Sequence, residues 1–152
     1  MELKTFKDLI DWTRTLHHHM AACLAHCASE HQEERARILL DYLATHETEL
    51  EKLVTDFERE GDARALKTWI YDFLSHKPIE THRTCDLPYT RMGFDDICHE
   101  IFDFHDQIID LYQNLKDRAE IPEAREMVEN LLNLERHEAM RIAREIGRMQ
   151  DV

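Results

Sequence analysis

Glycine and proline are scarce in this chain, three of each in 152 residues. So few breakers exclude a chain rich in tight turns and favour long helices. Cations are outnumbered, 19 Lys and Arg against 32 Asp and Glu, for a formal charge of −13. That balance argues against nucleic acid as a partner, because binding there rests on Lys and Arg at phosphates. It favours cations near the surface instead. No apolar run approaches a membrane span, and Met-Glu-Leu-Lys-Thr-Phe-Lys at the N-terminus lacks the layout of a secretion leader. The expectation is a protein of the cytoplasm that uses no membrane. There is no Cys-x-x-Cys pair among Cys23, Cys27, Cys85 and Cys98, so no disulfide framework or zinc knuckle is indicated and reduced thiols are expected.

What the chain does have is apolar periodicity. A single domain over 1–152 is expected, with a first hairpin over about 5–60, a crossover over 61–93 and a second hairpin over about 94–150. Leu3, Phe6, Ile10, Thr13, His17, Met20, Leu24 and Ala28 share one helical face, broadened by Leu9, Trp12, Leu16, Cys23 and Cys27. Ser29-Glu30-His31-Gln32 has the spacing of a capping box, so the second helix is expected from about Glu30 to Glu60, ending at Gly61. Residues 62–76 read as a shorter amphipathic helix with Leu66, Trp69, Ile70, Phe73 and Leu74 inward. A third long helix is predicted from Phe94 to Arg118 and a fourth from Glu123 to Met149. The fold class is therefore all-α, an up-down bundle of four long helices built from two hairpins. The Leu9, Trp12 and Leu16 stripe is expected both to receive the short helix in part and to make a dimer contact, so a homodimer is expected.

The chain also repeats. A shift of 88 residues lays the first helix on the third, with His17 on His105. A shift of 89 lays the second on the fourth, with His46 on Glu135 and Glu49 on Glu138. His17 and His46 lie at equal distances from the first turn, and His105 and Glu135 from the second. Six groups, His17, His46, Glu49, His105, Glu135 and Glu138, are thus expected at one depth of the core. Isolated in an apolar interior they would be strongly destabilising. Imidazole nitrogens and carboxylate oxygens together suit a divalent ion, iron first, with manganese or zinc as alternatives. Tyr42, one turn before His46, is expected to donate a hydrogen bond behind the ligands. His137 is read as a surface residue, although a modest rotation of the fourth helix would exchange it with Glu138. No nucleophile, phosphate loop or catalytic triad can be identified, so catalytic residues stay unassigned.

These paired hairpins, the long crossover and the inward ligands resemble the ferritin-like di-iron carboxylate superfamily, which includes bacterioferritins and rubrerythrins. In that family two helices each supply a Glu and the other two each supply a Glu-x-x-His pair. Here His46-x-x-Glu49 and Glu135-x-x-Glu138 stand for the pairs, and His17 and His105 stand where the family has Glu. The resemblance implies one or two metal ions in the bundle core and oxidase chemistry with dioxygen or peroxide. Two other readings use the same residues. One is a helical adaptor protein whose buried His and Glu form a metal-free network, and the other is a metal sensor or store that binds without turnover.

Overall fold

A computed structural model describes residues 4–69 and 88–150. The described chain is helical, and within it an isolated antiparallel bridge between Thr5 and Trp69 is the sole strand-like pairing. Helix α1 runs Phe6–Glu30, α2 runs Glu34–Arg59, α3 is the single turn Ala63–Leu66, α4 runs Phe94–Arg118 and α5 runs Pro122–Gln150, with a 3₁₀ turn at Tyr89–Arg91 before α4. The four long helices form two hairpins, α1 with α2 and α4 with α5, and α2 packs on both helices of the second hairpin. No helix among the described residues is long and apolar enough to cross a membrane.

Local chemistry sets each boundary. Thr5 and Asp8 form a reciprocal capping box that starts α1. The first turn does not use Ser29, which remains inside α1. His31 organises it instead: its Nδ1 accepts from the Glu33 N–H at 3.0 Å, and its Nε2 donates to the Met92 carbonyl at 2.8 Å. The ring thus ties the first hairpin's turn to the approach of α4. Gly61 follows α2, where a Cβ would stand 3.2 Å from the Glu58 carbonyl oxygen. Asp62 caps α3 through the N–H groups of Arg64 and Ala65. Asp95 and Asp96 in the first turn of α4, and Lys116 and Arg118 in its last, complement the helix dipole. Pro122 opens α5 at the position where its missing N–H costs nothing.

The helix expected over 62–76 is shorter than its periodicity suggests. After Leu66 the chain extends, and Thr68 accepts from the Phe6 N–H at 3.1 Å. Trp69 is 57% exposed, not inward. Leu3, Ile70, Phe73 and Leu74 lie outside the described residues. Leu9, Trp12 and Leu16 are buried within the chain itself, so the stripe that suggested a homodimer is already covered. Cys23 is disulfide-bonded, which corrects the expectation of four reduced thiols. Cys27 and Cys98 are buried cysteines outside any disulfide.

The internal repeat has a single register. Every buried residue of α4, from Phe94 through Ile97, Cys98, Ile101, Phe104, His105, Ile108, Leu111 and Tyr112 to Leu115, has a buried counterpart 88 positions earlier in α1. The same shift carries α2 onto α5: Ala36 onto Ala124, Leu39 onto Met127, Leu40 onto Val128, Leu43 onto Leu131, Ala44 onto Leu132 and Val54 onto Ile142, all buried. The helix starts agree too, Phe6 with Phe94 and Glu34 with Pro122. The 89-residue shift read for the second pair of helices is therefore corrected to 88. Loops can absorb a slip of one residue, but a helix face cannot, because one residue is a 100° rotation.

Candidate metal centre

In the 88-residue register His17 corresponds to His105 and Glu47 corresponds to Glu135. These four side chains meet at the centre of the bundle, with at most 1% of any residue exposed. Their contacts follow the repeat. His17 Nε2 donates to Glu135 Oε1 at 2.9 Å, and the equivalent His105 Nε2 donates to Glu47 Oε1 at 2.6 Å. Each bond crosses from one hairpin to the other. A third bond stays within the first hairpin, from His17 Nδ1 to Glu47 Oε2 at 2.6 Å. Its counterpart would join His105 Nδ1 to Glu135 Oε2. Both of those atoms are buried and have no hydrogen-bond partner among the described residues. The tetrad is thus a ring of four contacts with three closed. The imidazoles of His17 and His105 stack at 5.9 Å between centroids, with Phe104 edge-on to both.

Charge explains why the ring holds. Burial opposes a proton on His17, but the carboxylates of Glu135 and Glu47 outweigh it and hold the imidazole up to about 10. At neutral pH His17 is a buried imidazolium with both N–H groups engaged. Burial would likewise keep Glu47 protonated, and His105 and His17 overturn that, leaving its carboxyl far below the usual range. Hydrogen bonds to charged groups in such a setting contribute about 1.5–3 kcal/mol each, and leaving one partner alone costs more.

Beside the tetrad, His46 is buried and its Nε2 lies 2.9 Å from Glu138 Oε2. The contact lacks the alignment of a hydrogen bond, and both ring nitrogens are without such a partner among the described residues. Burial, above all, depresses its proton affinity. Arg141 Nη1 donates to both oxygens of Glu138, at 3.1 and 3.3 Å. Tyr42 stands against His46 with ring centroids 6.2 Å apart; the contact is ring against ring and not the hydrogen bond expected. A separate buried pair lies one turn from His17, where Tyr112 donates to Thr13 Oγ1 at 2.5 Å and Thr13 donates to the Leu9 carbonyl at 3.1 Å. Tyr112→Phe should cost about 1 kcal/mol in a chemical denaturation curve, and a loss several times larger would show the phenol supporting the tetrad as well.

Of the six residues singled out from the pattern, His17, His46, His105, Glu135 and Glu138 are buried here. Glu49 is exposed on α2 and does not join them. The residue missed is Glu47, fully buried and bonded to two imidazoles. The signal for it was present: the 88-residue shift that pairs His17 with His105, applied to the second helix, lands on Glu47 opposite Glu135. His137 is exposed, and Glu138 holds the inward position.

The donor chemistry fits a divalent ion. Nitrogen and oxygen donors of this kind suit iron, manganese or zinc, and among the buried atoms without a hydrogen-bond partner, His46 Nδ1, His105 Nδ1 and Glu135 Oε2 are of that kind. Among the described residues, however, no three His, Cys, Asp or Glu side chains are arranged as ligands of one ion. The reason lies in the hydrogen bonds above, which aim imidazole N–H groups at carboxylate oxygens. A nitrogen carrying that proton has no lone pair for a metal. No known family, curated protein or solved structure matches the chain.

Proposed function

We propose that the core of this bundle binds one or two divalent metal ions, iron first and manganese or zinc as alternatives, in a ferritin-like arrangement. The observation that carries the reading is the tetrad, two Glu and two His related by the repeat, with His105 Nδ1 and Glu135 Oε2 buried and unpartnered. His17, Glu47, His105 and Glu135 would hold the metal, with His46 and Glu138 completing the set. Glu47 replaces Glu49 in this role. In the register of the repeat, Glu47-x-x-Leu50 and Glu135-x-x-Glu138 occupy the places of the family's two Glu-x-x-His pairs. Iron held there would supply electron exchange with dioxygen or peroxide. The chain's part is to fix the donors, to surrender the imidazole protons on binding and to keep bulk water out through its burial, with Phe104 packed edge-on against both imidazoles.

A second reading is favoured by the three short bonds already closed: a metal-free polar network that sets helix register in a binding or adaptor protein. One experiment separates the two. Protein stripped with chelator is titrated with Co(II), followed by its visible spectrum, and with Fe(II) under anaerobic conditions before exposure to air. The metal reading expects saturable uptake in the unmodified protein, retained in Glu49→Gln and lost in the Glu47→Gln/Glu135→Gln double variant. If the unmodified protein and the double variant bind alike, the ions are only decorating the acidic surface and the network reading stands.

A further inference from the structure

The tetrad obeys the 88-residue repeat, but three polar residues beside it break it. His46, Glu138 and Arg141 correspond to Leu134, Leu50 and Leu53. The seam between α2 and α5 is related to itself by the repeat, so one half of it carries an imidazole, a carboxylate and a guanidinium where the other half carries three leucines. Packing alone does not call for this difference, since leucine satisfies the same geometry on the other side at no desolvation cost.

The three residues form a line from solvent to the core. The Arg141 side chain is 47% exposed, and it holds Glu138, whose side chain is 5% exposed. Glu138 Oε2 is 2.9 Å from His46 Nε2, and the His46 ring lies 6.4 Å from that of His105, edge to face. His105 is bonded to Glu47. His46 is the second, independent sign of a ligand: it is 2% exposed, its Nδ1 has no hydrogen-bond partner among the described residues, and its Nε2 meets Glu138 without the alignment of a hydrogen bond. At the outer rim Glu49 and Glu145 act on Tyr42 together with Arg141, Glu145 is paired with Arg148, and Glu49 also acts on Arg141.

We propose that this polar half of the α2–α5 seam is the route by which a divalent cation reaches the core, and that Arg141 is a resident cation which must leave Glu138 before the ion can take its place. The proposal rests on the metal reading of the tetrad. Glu49 then has a place at the mouth of the route, as an exposed carboxylate that attracts the ion without holding it. Arg141 excludes ions too weakly bound to displace a guanidinium paired to both carboxylate oxygens. The leucine half of the seam keeps the opposite side closed.

The test is the rate of Co(II) uptake by the full metal-free chain, measured by stopped-flow absorbance. Arg141→Gln should load about tenfold faster than the unmodified protein, the scale on which local charge alters the arrival of a charged ligand. Arg141→Lys, which keeps the charge, should stay within about twofold. Arg144→Gln makes the same change of net charge at an exposed position of α5, and Leu53→Gln alters the mirror position; both should load at the unmodified rate. If the unmodified protein takes up Co(II) but Arg141→Gln loads no faster, or if Arg144→Gln accelerates equally, the route is wrong and the metal reading survives. If the unmodified protein takes up no Co(II), the metal reading fails and this proposal falls with it.

Discussion

Glu47→Ala should destabilise the metal-free protein by about 3–5 kcal/mol, the usual loss when one member of a buried charged pair is removed. For a domain of this size that is roughly 10 °C or more in Tm. Both oxygens of Glu47 accept from buried imidazoles, so the substitution leaves the His17 cation with one carboxylate and His105 Nε2 with none. A cavity at a fully buried position adds to the loss. Glu49→Ala, two residues away on the same helix, should stay within about 0.5 kcal/mol because its side chain is exposed. Thermal unfolding followed by circular dichroism compares the two directly. Equal losses from both would mean that the tetrad is not the keystone of the core. Replacing all four tetrad residues by Leu is a different operation, because it removes the charges together. By the precedent of buried ion pairs exchanged for apolar residues, that variant should retain most of its stability.

Stability should also depend strongly on pH, with a maximum near neutrality and a limb on each side. The folded state holds the His17 proton more tightly than the unfolded chain does, up to about 10 against 6.5. Its contribution is therefore complete below pH 6.5 and is lost as pH rises through about 10, on the order of several kcal/mol for a fully buried group. Glu47 runs the other way. Its folded carboxyl lies below the ordinary 4.5, so its contribution is present above pH 4.5 and is lost as pH falls. His46, depressed below 6.5 by burial, adds to the acid limb, because protonation below that pH favours the unfolded chain. Urea midpoints of the metal-free protein should fall steadily from pH 6.5 to pH 10. In His17→Gln the alkaline limb should flatten, since the titrating group is gone, while the acid limb from Glu47 and His46 remains. An alkaline limb unchanged in His17→Gln would assign it to other groups and refute the buried imidazolium.

Much of the fold was legible because helix faces are periodic. His17, His105 and Glu135 fall among apolar residues at a spacing that a helix must bury together, and their burial follows. The ends of α4 were read as they stand, because Gly93, the acidic first turn and the basic last turn mark them locally. The first turn is not legible locally. Ser29 offered a capping pattern, but the turn depends on His31 reaching Met92, 61 residues away, and no local pattern carries that contact. Trp69 was read inward from its periodicity, yet the segment leaves the helix after Leu66 to pair with Thr5.

The choice between Glu47 and Glu49 shows the limit most plainly. On α2 alone, His46, Glu47 and Glu49 lie within one turn, and a small rotation decides which of them face the core. The amino-acid sequence by itself determined that this is an all-helical chain of two related hairpins, and that imidazoles and carboxylates lie on their inner faces, because composition, breakers and periodicity act along one helix at a time. Only the tertiary structure decided that Glu47 is the inward carboxylate, that three of four tetrad contacts close, and that Arg141 sits over Glu138. Those outcomes depend on the rotation and depth of four helices relative to one another, and that alignment is set by the packing of every face at once.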